Sequence, residues 1–430
     1  MDSLIAELGH RNSAVREAAA RALGVTGDPR AVEPLLNALG DAHDAVRHAA
    51  AEGLKALGEP LGELIAGSLA GSEAARQELA ARGDPRALPP LSGALGAWDV
   101  SVRVHAARTL AALGDPRAVE PLIASMNGRD KPAREAAAWA LWKIGDARAF
   151  APMVRALGDS HDPVRVAAAH TLGKLKDPRA ADPLVRVLSD WHYEVRAAAA
   201  GSLGLLGDRR AVEPLVGTLK DVHAAVRASA ALALGGIGDA RAVVPLVDLL
   251  GDPYPGVREA AVRALGMLGD RRAVDPLVPV LGDDNAAVLK AAVRALDGFG
   301  EPLGRRIYAA REGLREARAE LAAEKDPRSL PPLVRCLRNP DAKVRRNSAE
   351  ILGAIGDRRA VDGLVAMAGG WDLADRIVAT RALLRIDQEA FPGLTTALLR
   401  VAASPAGLAY LLGAAGIAAL IVYGWRRVRR

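Results

Sequence analysis

Eight histidines, one cysteine and two series of regularly placed arginines are the residues with which this chain of 430 amino acids could do chemistry. The histidines stand at 10, 43, 48, 105, 161, 170, 192 and 223. His161, His192 and His223 hold the same place in three successive periods. A metal site needs its donors about 2 Å from one ion, whereas neighbouring helices stand about 8–10 Å apart, so stacked imidazoles do not converge. Cys336 is the one cysteine, which excludes an internal disulfide framework and any zinc site built mostly of thiolates. It falls in an apolar helical pattern with no activating base beside it, the setting of a small core residue. There is no glycine-rich phosphate loop, no Gly-x-Ser-x-Gly elbow and no cluster with metal-ligand spacing. The residues predict no catalytic site, no metal and no cofactor, and point to recognition rather than catalysis.

The arginines fall into two sets of ten. One set follows a valine or its equivalent: Arg16, Arg47, Arg103, Arg134, Arg165, Arg196, Arg227, Arg258, Arg345 and Arg376. The other is Arg30, Arg86, Arg117, Arg148, Arg179, Arg210, Arg241, Arg272, Arg328 and Arg359. A phosphate-binding stripe is one reading. The other is a ladder in which each guanidinium fork meets a carboxylate such as Asp41, Asp159, Asp190, Asp221, Asp252 or Asp283. Arginine and aspartate recur in equal phase, which favours the ladder. Leu289 stands where an arginine belongs, so a rung is expected to be missing there. The formal charge is +6, but Arg426, Arg427, Arg429 and Arg430 supply four of those charges and leave +2 for the rest. Nucleic-acid binders concentrate far more basic charge on one face, so no nucleic-acid partner is expected.

These residues are positioned by a repeat. Asp28-Pro-Arg-Ala-Val-Glu-Pro-Leu-Leu36 recurs from Asp115, with variants opening at Asp84, Asp146, Asp177, Asp208, Asp239, Asp270, Asp326 and Asp357. From Asp84 to Asp270 every step is 31 residues. Asp28 suits an N-cap and Pro29 the first helical position. Ala31 to Leu39 carries an apolar stripe, inside which Pro34 is expected to bend the helix. After the turn Gly40–His43, a second helix runs from Asp44 to Leu57, with Val46, Ala49, Ala50, Leu54 and Leu57 on its buried face and Gly58 ending it. Aromatic residues are only 3% of the chain and alanine is abundant, which suits thin helices that approach closely. Neither helix can bury its stripe alone, so the pairs must stack. Thirteen units are expected over residues 1–386. Two of them, 59–83 and 301–325, are 25 residues long, and both open Glu-Pro-Leu-Gly. They read as long-helix joints that redirect the stack, or as traces of an internal duplication.

The proline of the first helix, the turn residue Asp41 and the Val46-Arg47 pair resemble a HEAT repeat. The phrase Gly27-Asp-Pro-Arg-Ala-Val-Glu-Pro-Leu35 is similar to the subfamily named after phycobilin lyase subunits. The resemblance covers residues 1–386. It implies an all-α, right-handed α-solenoid of about thirteen two-helix repeats, a scaffold that binds partners along the concave face made by second helices. Deoxyhypusine hydroxylase resembles this architecture but holds iron through His-Glu pairs, and no histidine here is followed by glutamate. The resemblance leaves a second reading, a non-catalytic accessory or lyase-like subunit handling a bilin or another prosthetic group.

Packing fixes the ladder and core positions, so a partner surface should show at the variable ones. The positions matching His48 and Glu52 are charged toward the ends, as in Glu17 and Arg21, Lys290 and Arg294, or Arg346 and Glu350. In the middle they become Trp139, Val166, His170, Ala197, Ala228 and Leu232, with Trp142 close by. An apolar patch rimmed by charge marks a protein-binding groove, and tryptophan is enriched in such grooves. The bland alternative is that the tryptophans fill gaps left by small residues. A second candidate is the ridge of turns carrying Trp98, His161, Trp191, His192 and His223.

Residues 401–425 carry no charge. Residues 406–425 read as a transmembrane helix, long enough for a hydrocarbon core of about 30 Å, with Tyr410, Tyr423 and Trp425 at the interfaces. Residues 387–405 form an amphipathic connector and 426–430 a basic tail. The N-terminus has no secretory pattern, so a tail-anchored protein with a cytoplasmic solenoid is expected. The reading as a whole is a membrane-anchored scaffold or adaptor for another protein.

Overall fold

The computed structural model describes residues 1–370 and 372–388. The remainder of the expected connector, the expected transmembrane helix at 406–425 and the basic tail lie outside the described residues. Among the described residues all the regular structure is helical, without a strand. None of the described helices is long and apolar enough to cross a membrane. The chain divides into two compact units, Met1–Thr218 and Leu219–Arg430.

Each first helix begins as the sequence dictates. The Asp28 carboxylate accepts the backbone N–H of Arg30 at 2.9 Å, and Pro29 opens a 3-10 turn over Pro29–Ala31. The α-helix proper is Val32–Ala38. Pro34 is therefore its third residue, in the first turn, where no intrahelical partner is lost. This corrects the expected placement inside the helix: the proline sits in the first turn, just past the 3-10 segment. The pattern repeats at Asp84, Asp115, Asp146, Asp177 and Asp208 in the first unit.

Each second helix is longer, such as Asp44–Ala56 and Lys131–Ile144. Val46, Ala49, Ala50 and Leu54 are buried as expected. Within the first unit the second helices pack on one another, Val100–Leu113 against Lys131–Ile144 and Asp162–Leu175 against Tyr193–Leu206. Alanine makes this contact close: Ala106, Ala137, Ala168 and Ala199 are fully buried.

The two short units depart from the expectation of long helices. Each is a pair of short helices joined by a tight turn: Pro60–Leu69 with Glu73–Arg82, and Leu303–Arg311 with Arg315–Glu324. The Pro60–Leu69 helix packs on Asp44–Ala56, and both helices of that joint pack on Val100–Leu113. Meanwhile Val32–Ala38 meets Leu88–Ala94 directly. The approach is so close that a Cβ on Gly40 would lie 2.5 Å from the Pro90 carbonyl oxygen. The joint thus adds two helices to the second-helix side of the stack while the first helices on either side of it remain in contact.

The second unit repeats this device residue for residue. Gly282 stands to the Pro332 carbonyl as Gly40 stands to Pro90, at 2.7 Å. His105 Nδ1 lies 2.9 Å from the Leu69 carbonyl oxygen, and Asn347 donates to the corresponding Arg311 carbonyl at 2.7 Å. Gly71 and Gly313, at φ +97° and +98°, make the two turns. The shared geometry favours the internal duplication over two independent irregularities.

Candidate partner-binding site

The arginines must be accounted for before any surface is assigned. Many of those of the second helices form the expected ladder, while Arg47 turns back to Asp44 and Arg103 takes Asp130. In the first unit Arg16 grips Asp41 with Nε and Nη2 at 2.6 and 2.9 Å. Arg134 grips Asp159 in the same way at 2.8 and 2.9 Å, and Arg165 grips Asp190 at 2.8 and 2.9 Å. The third nitrogen, Nη1, donates to turn carbonyls of the arginine's own repeat, as Arg165 does to Asp159 at 2.9 Å. In the second unit Arg227–Asp252 and Arg258–Asp283 are further rungs. Each aspartate also accepts the backbone N–H of the next helix cap, as Asp41 does from His43. Burial of Asp41 opposes its ionisation, but the Arg16 fork and that N–H outweigh burial and hold its carboxyl below the usual range. Leu289 leaves the expected gap and is itself buried.

The first-helix arginines do something else, and the single ladder assumed from their phase is corrected here. Arg30 folds back on its own cap, Asp28, at 2.8 Å, and the same pair recurs from Arg86–Asp84 to Arg359–Asp357. Two residues of separation put the fork against the carboxylate that caps its own turn. These arginines are exposed but neutralised locally, which removes the basis for a phosphate stripe.

With both series absorbed by structure, one hollow in the first unit stands out. It holds about 600 Å³ and lies between the joint helix Glu73–Arg82 and the second helices Val100–Leu113 and Lys131–Ile144. Its walls include Arg76, Val104, Arg108, Glu135, Trp139, Trp142 and Lys143. Trp139 is half-buried, and Trp142 is 37% exposed. The two indoles meet edge to face, with centroids 5.5 Å apart. The His170 ring lies 5.9 Å from Trp139, and burial lowers its pKa. Lys174 sits over the Trp142 ring at 5.2 Å and donates to the carbonyls of Trp142 and Lys143, closing the helix end.

The structure therefore brings Trp139, Trp142 and His170 together. Val166 and Ala197, the equivalents of Glu135 in the next two repeats, are half-buried and do not line the hollow. Ala228 and Leu232 are half-buried in the second unit. Sequence reasoning missed Arg76, because its wall belongs to the joint, whose placement no periodicity specifies, and Arg108, which stands on the regular helix Val100–Leu113 at the position matching Glu52.

The repeat, its caps and its arginine rungs have a match among known families. The family model for HEAT repeats covers residues 1–66, 70–141, 119–200, 182–266, 243–305 and 308–384. The chain belongs to the HEAT-repeat family. No curated protein matches it. Among solved structures, an engineered protein is 21% identical over 90% of this chain and 98% of its own, with a TM-score of 0.37. A chain from the structure of Kap95p with RanGDP is 13% identical over 94% and 64%, with a TM-score of 0.45. A chain of the CpcE–CpcF phycocyanin lyase complex from Nostoc is 26% identical over 62% and 86%, with a TM-score of 0.29. All three scores fall below one half, so the assignment rests on the HEAT match.

The turns of the HEAT repeats carry the second candidate surface. Trp98 and Trp191 are each 74% exposed. Trp98 packs against His43 with the rings tilted and centroids 3.9 Å apart, joining the turns on either side of the first joint. Arg165 lies 5.2 Å from the Trp191 ring, so this indole covers the rung beneath it. The histidines each face a carboxylate, His161 toward Glu135 at 3.3 Å and His192 toward Asp162 at 3.4 Å. His223 caps the start of its helix in the second unit, its backbone N–H donating to Asp221. Among the described residues no group of histidine, cysteine and carboxylate side chains is placed to hold a metal.

Proposed function

We propose that this HEAT-repeat chain is a protein-interaction scaffold whose recognition surface in the first unit is the hollow beside Trp139 and Trp142. HEAT repeats commonly bind other proteins, which supports the general role. One observation carries the specific assignment. The joint and the repeats after it occur twice, and the second copy has Arg381 and Leu384 where the first has Trp139 and Trp142. The frame packs in both, so the tryptophans are not demanded by the fold. An indole left partly exposed in a hollow, where packing does not need it, fits a partner contact.

The scaffold acts by binding rather than catalysis, since its recurrent charged residues are consumed by rungs and caps. The uncharged run 401–425 supports attachment to a membrane, which would raise the scaffold's effective concentration near partners held there.

Quantitative crosslinking with mass spectrometry in native membranes tests both parts. Trp139→Ala/Trp142→Ala should remove specific crosslinked partners while the chain stays folded by circular dichroism. An unchanged partner set overturns the assignment of the hollow. Truncation at Val401 should release the chain to the supernatant, and retention on membranes overturns the tether.

A further inference from the structure

We infer that the hollow takes a short acidic segment of a partner protein, with one bulky apolar side chain laid on the Trp139–Trp142 pair. This rests on the reading of the hollow as the recognition surface. Its lining holds both signs of charge, but the carboxylates are already engaged. Glu73 accepts from Arg76 at 2.5 Å and from Gln77 at 3.2 Å, and Glu135 faces His161. Two of the cations are not spent. Arg76 is paired with Glu73 but keeps a buried Nε with no hydrogen-bond partner. Arg108 and Lys143 line the hollow, are exposed, and form no ion pair among the described residues. Lys174 stands above Trp142 beside the hollow, its ammonium already donating to two carbonyls at the helix end. The unsatisfied potential is therefore positive, while Val104, Pro132, Ala136 and the indoles make the surface between the charges apolar. Carboxylates satisfy such cations through charge-assisted hydrogen bonds, and an aliphatic or aromatic side chain satisfies the indoles. A hollow of about 600 Å³ admits one or two side chains rather than a folded surface. Basic and aromatic residues also suit single-stranded nucleic acid, but so few free cations neutralise too few phosphates to hold it.

The second copy of the frame supplies the contrast. There Arg318 pairs with Glu350, and Arg346 pairs with Asp372 and Asp375. Arg318, Glu350 and Arg346 correspond to Arg76, Arg108 and Val104, so in the second copy a carboxylate stands in place of the free Arg108 and both cations of that wall are paired across the repeats.

The test pans a displayed library of short random peptides on the full chain, then measures the selected peptides by fluorescence anisotropy. The expected outcome is enrichment of acidic sequences with one bulky apolar residue. Their affinity should fall about tenfold or more with Arg108→Glu/Lys143→Glu, two exposed substitutions that spare the fold, and with Trp139→Ala. It should also weaken as salt rises. Apolar peptides without acidic bias, sensitive to Trp139→Ala but indifferent to charge reversal, overturn the acidic occupant and leave the scaffold reading standing. Basic peptides, or displacement of the peptides by oligo-dT, overturn it as well. If no selected peptide depends on Trp139, both readings fall.

Discussion

Arg165 is 4% exposed, and its guanidinium gives two hydrogen bonds to Asp190 and one to a turn carbonyl. Removing either partner alone leaves the other charge buried and unpaired, whereas replacing both with hydrocarbon does not. Asp190→Ala should therefore lower stability by about 3 kcal/mol, and the double variant Arg165→Met/Asp190→Leu by clearly less, as measured by denaturant unfolding. A double variant that loses as much as Asp190→Ala would overturn this account of the rung. His170 gives a second prediction. Burial pushes its folded pKa below the ordinary histidine value, so the unfolded chain takes up the proton first as pH falls. Stability should be complete above about pH 7 and decline as pH drops through about 6.5, and His170→Gln should flatten that decline. A pH dependence identical in the variant sinks this reading. At this scale the sequence told half the story. That arginines and aspartates pair follows from their common phase. Which aspartate each one takes does not, since Arg30 has Asp28 two positions away and Arg16 reaches Asp41 in the next repeat.

Gly71 and Gly313 turn the two joints, and each faces the side chain that caps the preceding helix. A Cβ on Gly71 would lie 2.8 Å from His105, on a backbone at φ +97° that L-residues avoid. Gly58 also has a positive φ but opens on empty space. Gly71→Ala should cost well over 1 kcal/mol and Gly58→Ala only about 1 kcal/mol, read from melting temperatures of the two variants. Comparable shifts would show that the ring at the first joint yields freely. The helices, their aspartate caps and their glycine stops were legible, because capping is local chemistry repeated many times. The role of Pro34 was misjudged by a few residues, since the 3-10 turn before it leaves no trace in the apolar pattern. The joints were visible as short periods opening Glu-Pro-Leu-Gly. That the first helices on either side close over them was not visible, because it depends on Gly40 and Pro90, fifty positions apart, meeting in space.

Many of the cap and ladder aspartates among the described residues share one electrostatic condition. Asp28, Asp115, Asp177 and Asp208 in the first unit are held below the usual range by the arginine two residues on, and Asp146 and Asp270 are lowered to about 2 by Arg148 and Arg272. A depressed carboxylate stabilises the fold above its unfolded pKa and ceases to do so as pH falls through the folded one. Helical content should hold down to about pH 4 and be lost between about pH 4 and pH 2, followed by far-UV circular dichroism. Retention of the full signal at about pH 2 would overturn this account. Membership of the repeat family was legible from the first few periods. The binding hollow was legible on one side only, through Trp139 and Trp142, because its opposite wall comes from a unit that breaks the period. The rungs carry one more consequence. Where a rung forms, as at Asp159 and Asp190 in the first unit or Asp252 and Asp283 in the second, a module presents a socket at its turn, filled by the fork of the module before. Modules that carry both fork and socket can be gained or lost at the period without devising a new contact. At a joint the following socket is missing, and the two copies meet that differently: Arg47 turns back to Asp44 in its own helix, while Leu289 has given up the charge and packs inside.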